Sequence, residues 1–445
     1  MSFLSLEMNV FLMFLLVVIG IMTGYQLAFV LAGIGVFFGV SLFGIRFMGA
    51  LMMGFMGTIQ SFTLLAIPLF ILMGNIMMLS GIGEQMFNSL YILFGRVKGG
   101  LSIATTVLAT MFATCTGVVG ASVVTVGSLG IPAMLKHKYD RKLAFGTVCA
   151  GGCLGVLIPP SVLMIIYGAT AGLSVGNIFI AAIIPSLLLS LAYILYAFIR
   201  CWLNPALGPT ITKEEREEAL RKTPITKLML AIVPPLFIIL AVLGSIFFGF
   251  AAPTEAAAVG CIASIVLAMF YRKLSLENLR KATLDTMIAT SSILFMTVGA
   301  VMFTSTFASM GGVELVRRTV LELDLGPHGT FLLMAGVLSF LGLFMDWIGV
   351  IYLTIPIFTP IAASLGFDPI WFAIMMILFL QLSYLTPPFA LACFYCKGIA
   401  PADTTISELY VAVVPYIVIQ LFAFAIFYAF PSIITFLPGL GLIGG

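Results

Sequence analysis

Tyr384-Leu385-Thr386-Pro387-Pro388 repeats, 228 residues further along the chain, the double proline of Leu157-Ile158-Pro159-Pro160, and both stand inside apolar runs. Sliding the chain against itself by the same offset also pairs Pro132 with Pro360, Asp140 with Asp368 and Tyr167 with Tyr395. One long frame is therefore used twice. Proline inside a helix removes a backbone donor and leaves a carbonyl free, so each copy is expected to hold a broken helix. Broken helices in a duplicated frame point to a transporter, because the interruption exposes backbone groups that can hold ions and substrate.

The solvent of this chain is lipid: 62% of its 445 residues are hydrophobic, 8% are charged, and the mean hydropathy is +1.23. Such values exclude a soluble globular domain. A spanning helix needs about 20 mostly apolar residues, and ten segments qualify, starting near residues 9, 26, 55, 143, 177, 228, 254, 284, 370 and 407. Two further regions, 101–135 and 329–366, are interrupted by Thr116-Gly117-Val118-Val119-Gly120 and by Phe344-Met345-Asp346-Trp347. Each reads as a re-entrant hairpin, tolerated where protein or a cavity surrounds it. The expected fold is an all-α polytopic membrane protein with about ten transmembrane helices and two re-entrant hairpins.

Charge placement supports this layout. With both hairpins non-crossing, 17 of the 20 Lys and Arg residues fall on one face, leaving Arg46, Arg317 and Arg318 opposite. The rich face is cytoplasmic by the positive-inside rule, which places both termini outside. Five crossings separate the hairpins, so the halves are inverted. The expected division is a first repeat over 1–203, a charged cytoplasmic linker over 204–227 and a second repeat over 228–445. The linker includes Lys213-Glu214-Glu215-Arg216-Glu217-Glu218 and reads as a solvated connector with a short helix. Glycine-opened stretches, Gly83 to Lys98 and Gly311 to Gly326, precede the hairpins and read as interfacial amphipathic helices.

Several function classes find no support. The two histidines, His137 and His328, fall in expected loops, and the seven cysteines sit in apolar stretches where Cys packs as a small hydrophobe. No phosphate-binding glycine loop, Ser-His-Asp set or nucleic-acid surface is present. The first apolar run, Met8 to Thr23, has no preceding Lys or Arg and is expected to remain in the protein.

Polar residues at membrane depth are the candidates for function. The first cluster joins Thr114, Thr116, Gly117 and Ser122 of hairpin one with Gly151, Gly152, Gly155, Pro159, Pro160 and Ser161 of the broken helix. Free carbonyls with a few hydroxyls suit a hard cation such as sodium, although packing glycines in a kinked helix would read the same way. The second cluster joins Gly342, Asp346 and Thr354 with Gln381, Ser383, Thr386, Pro387 and Pro388. Asp346 has no neighbouring cation in sequence; ion ligation, proton coupling and capping of the hairpin tip are all open to it. Glu255, after Pro253-Thr254, favours a helix start. An intramembrane acid-base enzyme built on Asp346 with Glu255 or Asp285 is disfavoured, since both partners lie near segment ends. With no Lys or Arg at depth, an anionic substrate would be held by helix N-termini, backbone N–H groups and hydroxyls, with Thr116, Ser122, Ser161 and Thr386 as candidate contacts.

The chain resembles the large membrane subunit of tripartite ATP-independent periplasmic (TRAP) transporters in Ala66-Ile67-Pro68-Leu69-Phe70, Gly120-Ala121-Ser122-Val123-Val124-Thr125 and Ile131-Pro132-Ala133-Met134. The match continues through Gly155 to Ser161, Pro253-Thr254-Glu255-Ala256-Ala257-Ala258, Phe344-Met345-Asp346 and Thr386-Pro387-Pro388. The resemblance implies an inverted-repeat, elevator-type fold in a bacterial or archaeal inner membrane. It also implies sodium-coupled import of an organic acid, with a periplasmic substrate-binding protein and a small four-helix membrane subunit as partners. Carried over by motif, one sodium site would involve Thr116, Gly117, Gly155 and Pro160, and a second Gly342, Ser383 and Thr386. Family members commonly have glycine where this chain has Ser383, which restricts the backbone of the second site. A binding-protein-independent sodium/organic-anion symporter of similar fold is the alternative.

Overall fold

Apolar runs punctuated by glycine and proline become helices, and the described residues contain no strand. The computed structural model describes residues 5–222 and 225–441; the side chains of Cys115, Thr116, Lys213, Arg216, Ala219, Lys222, Ile225 and Lys227 lie outside the described set. The chain opens with α1 (Leu6–Met22), α2 (Leu27–Phe43), α3 (Phe47–Ile59) and α4 (Ala66–Leu79), then the amphipathic α5 (Ile82–Phe94). Hairpin one is α6 (Gly100–Thr116) and α7 (Val119–Lys136). The first broken helix is α8 (Arg141–Cys153) and α9 (Val162–Ala171), followed by α10 (Val175–Leu203).

The linker carries α11 (Lys213–Lys222). Next come α12 (Ile225–Phe247), α13 (Pro253–Phe270), α14 (Leu276–Ser309) and the amphipathic α15 (Gly312–Glu322). Hairpin two is α16 (Gly326–Gly342) and α17 (Trp347–Ser364), and the second broken helix is α18 (Pro369–Ser383) and α19 (Leu391–Ile399). The described chain ends with α20 (Ile406–Ala429) and α21 (Ser432–Gly439).

The repeated residues do the same jobs in both copies. Asp140 and Asp368 are N-caps, accepting from Leu143 N at 2.9 Å and Trp371 N at 2.7 Å, which satisfies an amide the helix start leaves unpaired. Pro132 and Pro360 lie inside α7 and α17, helices that start and end 228 residues apart. Both double prolines, Pro159–Pro160 and Pro387–Pro388, contain a cis peptide bond.

Packing partners are exchanged between the copies. α2 packs on α14 while α4 packs on α13; α8 packs on α20 while α18 packs on α10; α7 packs on α19 while α17 packs on α9. Small residues make the closest crossings, as membrane helices require. A Cβ on Gly299 would stand 2.3 Å from Ala28 O, and one on Gly146 2.3 Å from Ala412 O. The six described cysteines are buried and unpaired as disulfides.

Among the described residues seven helices are long and apolar enough to cross a membrane: α10, α12, α13, α14 and α20, which are expected spans, and α7 and α17, which are the second arms of the two hairpins; the bent pair α3–α4 would be an eighth. The remaining expected segments are the 17-residue helices α1 and α2 and the two proline-broken helices. Three local expectations need correction. The single segment expected from residue 55 is bent by 48° between Ile59 and Thr63, where Thr254 Oγ1 donates to Phe62 O at 3.3 Å. α14 begins at Leu276, two turns before its apolar stretch. His328 belongs to the first turn of α16 and not to a loop, with its ring against the Tyr428 hydroxyl.

Candidate functional site

Glycine lets each hairpin tip lie close against the neighbouring broken helix, on its backbone at the first tip and on the Ser383 side chain at the second. Gly117 ends α6 in the left-handed region at φ +57°, and a Cβ there would stand 3.2 Å from Val162 N and 3.4 Å from Pro160 O. Hairpin one therefore rests on the break of the first broken helix. Deeper in the same group, a Cβ on Gly155 would lie 3.5 Å from Ser122 Oγ. At the second copy, a Cβ on Gly342 would meet Ser383 Cβ at 2.7 Å and Oγ at 2.9 Å. The structure thus brings together Gly117 with Pro160, Gly155 with Ser122, and Gly342 with Ser383.

Hydroxyl protons in the second group are already engaged. Ser383 donates to Leu380 O at 2.7 Å, Thr386 to Leu382 O at 2.8 Å and Thr354 to Val350 O at 2.7 Å. What these side chains can offer a guest is lone pairs, which suits a cation. In the first group, Thr114 donates to Met111 O at 2.6 Å, and Ser161 Oγ is buried without a partner among the described residues. The buried Gln381 amide is likewise without a partner there. The Thr116 side chain lies outside the described residues.

Between the two tips is a cavity of about 250 Å³. Hairpin one contributes Gly117 to Gly120, hairpin two Asp346 to Ile348, and the broken helices Val156, Leu163, Tyr384, Leu391 and Tyr395; Gln26 and the α14 residues Ala289, Ser292, Ile293 and Met296 close it. That part of α14 adjoins its charged end, where Arg280, Lys281 and Asp285 are exposed. Among the described residues that line it, none is Lys or Arg, and Asp346 is the only carboxylate. Asp346 caps α17, accepting from Ile348 N at 3.5 Å, so the capping role is present whatever else it does. Across the cavity, the first turn of α7 begins at Val119 with no side-chain cap, and a helix start of this kind favours an anion.

Placement of the remaining candidates is equally definite. Ser122, Ser161 and Thr386 do not line this cavity. Glu255 accepts from Ala252 N at 2.9 Å and serves the start of α13, while Asp285 is exposed. Sequence reasoning missed Gln26, Ser292, Trp347, Tyr384 and Tyr395. The pairing of Tyr395 with Tyr167, and the adjacency of Trp347 to Asp346, were signals for two of them; Gln26 and Ser292 arrive only through tertiary packing. Further cavities follow the same seam: about 540 Å³ between the α9–α10 turn and the α12–α13 loop, and about 330 Å³ where Thr170 and Tyr352 face Thr58 and Thr297.

Comparison with known proteins adds independent findings. Residues 10–433 match the family model for the tripartite ATP-independent periplasmic transporter, DctM component. The chain is 33% identical over 390 residues to a C4-dicarboxylate TRAP transporter large permease protein of Pseudomonas aeruginosa, covering 86% of each. It is 31% identical to the sialic acid TRAP transporter large permease protein of Vibrio cholerae, covering 87% of this chain and 88% of that one. An isethionate TRAP transporter permease protein of Oleidesulfovibrio alaskensis is 30% identical, over 86% of this chain and 59% of its own length. These relatives are named as transporter permeases, not enzymes. Among solved structures, the Alcanivorax borkumensis YdaH transporter aligns with a TM-score of 0.60 at 14% identity, covering 96% of this chain and 99% of that one. Neisseria gonorrhoeae MtrF aligns at 0.59 and 16%, over 87% and 84%. Both share the fold.

Proposed function

The chain belongs to the DctM component family of tripartite ATP-independent periplasmic transporters, and from that premise we propose that it is a large permease subunit importing an organic acid with sodium. The observation that supports this most is the convergence of both hairpin tips and both broken helices on one cavity whose lining, among the described residues, has no cationic side chain. A carboxylate entering there meets the unprotected start of α7, while sodium ions supply the positive charge that the side chains lack. One ion is assigned to the group around Thr116, Gly117, Gly155 and Pro160, and the other to Gly342, Ser383 and Thr386. Their oxygens are carbonyls and hydroxyl lone pairs, the ligands a hard cation takes.

The cargo arrives on a periplasmic binding protein, and a small membrane subunit completes the assembly in the inner membrane. Relatives named for C4-dicarboxylates, sialic acid and isethionate make an organic acid the expected class. Hairpins and broken helices form the moving body, and α2, α4, α13 and α14 the frame against which it shifts. Cavities along the seam between these groups are compatible with such sliding. With its scaffold wall on the charged half of α14, the tip cavity corresponds to the cytoplasm-facing end of the cycle.

Sodium dependence is the test. Replacing sodium by potassium abolishes uptake in proteoliposomes, and P160A and T386V lower sodium-dependent uptake more than they lower thermal stability. Uptake indifferent to sodium in the unmodified protein and both variants contradicts the proposal.

A further inference from the structure

Tyr395 stands on α19, in the second copy of the frame, and reaches across to hairpin one in the first copy. A Cβ on Gly120 would stand 2.8 Å from its Cζ and 3.0 and 3.1 Å from Cε2 and Cε1. The phenol end of the ring therefore abuts the first turn of α7, in space that any other residue at position 120 would fill. Tyr395 is 40% exposed, whereas its frame partner Tyr167 is 0% exposed. Core packing accounts for Tyr167; it does not account for a large ring left half open on the tip cavity that it lines.

We infer that Tyr395, seated against Gly120, sets the upper size of the cargo that the tip cavity takes, so that compact carboxylic acids fit and acids with a bulky terminal group do not. The inference rests on the tip cavity being the cargo site. The ring joins hairpin one to the second broken helix, and its removal enlarges the cavity without touching the residues assigned to sodium. A wall of this kind discriminates sterically, and one group's worth of pocket volume is worth about tenfold or more in selectivity. The wall also belongs to the moving body, so it accompanies the cargo and acts apart from the binding protein's own selection.

The test uses the full chain in nanodiscs in sodium buffer, with propionate and 3-phenylpropionate as probes that share a carboxylate and differ by a phenyl ring. Ligand-induced thermal stabilisation gives the two apparent affinities. The unmodified chain favours propionate. Y395A shifts the affinity ratio toward 3-phenylpropionate by about tenfold; Y395L, which keeps apolar packing, shifts it in the same direction, and Y395F leaves it unchanged. G120A, which pushes the ring inward, weakens the larger acid further. An unchanged ratio in Y395A or Y395L with propionate still binding overturns the inference alone. Folded protein that neither acid stabilises in any variant overturns the cavity as the cargo site, and the inference with it.

Discussion

At the scale of single residues, the pair Gly342 and Ser383 makes the sharpest demand on the chain. A methyl group at 342 would stand 2.7 Å from Ser383 Cβ, so G342A forces a shift that costs about 1–3 kcal/mol in thermal denaturation and lowers uptake. S383G removes the obstructing atoms, so the double variant G342A/S383G recovers most of the lost stability; additive losses would show that the two do not meet. Asp346 separates two roles by chemistry. Asparagine caps a helix about as well as aspartate, whereas alanine costs about 1 kcal/mol. D346N therefore keeps its melting temperature and D346A loses stability, and uptake by D346N reports whether the charge itself is used. Residues such as Asp346, Gly117 and Pro160 were legible because a carboxylate, glycine or proline stands out in an apolar run. Tyr395 and Trp347 carried a weaker signal, the repeat pairing and the adjacency to Asp346, which does not by itself mark a cavity wall, since an aromatic residue in a membrane helix has many ordinary reasons to be there.

Elements were legible to the extent that their boundaries are written in glycine and proline. Both hairpins and both broken helices fall close to their expected positions. The bend between α3 and α4 has no such marker: it coincides with the Thr254 hydroxyl bonding Phe62 O, a contact between residues 192 apart. The linker helix α11 holds a further surprise, because a stretch expected to be a plain solvated connector is docked. Glu215 accepts from the Tyr91 hydroxyl at 2.8 Å, and Oε1 lies 3.2 Å from His137 Nε2, tying the linker to α5 and to the base of hairpin one. Burial works to raise the Glu215 carboxyl, but the hydrogen bonds from Tyr91 and His137 outweigh it and hold it below the usual range. A depressed carboxyl stabilises docking above its unfolded pKa, and that contribution is lost as pH falls through the lower folded value. Limited proteolysis of the linker should therefore stay slow at pH 7 and accelerate only once the pH falls below the ordinary glutamate range, while E215A should be cleaved faster at neutral pH; cleavage independent of both contradicts the docking.

For the molecule as a whole, the duplicated frame explains why helices exchange partners between the two copies and why both tips arrive at one cavity. The repeat was readable from prolines and aspartates 228 residues apart. The cavity was not, because part of its wall comes from Gln26 and Ser292, which no local pattern connects to the tips. A cavity with no cationic side chain among its described lining residues, the two polar groups beside it and a family of binding-protein-dependent permeases fit one reading: an organic acid and sodium move together after delivery. Uptake of labelled organic acids into proteoliposomes containing this chain and its small subunit tests that claim most directly, with the binding protein and an inward sodium gradient each supplied or withheld. Uptake is expected only when both are present; uptake without the binding protein, or undiminished when potassium replaces sodium, would show that sodium-coupled, binding-protein-dependent import is wrong.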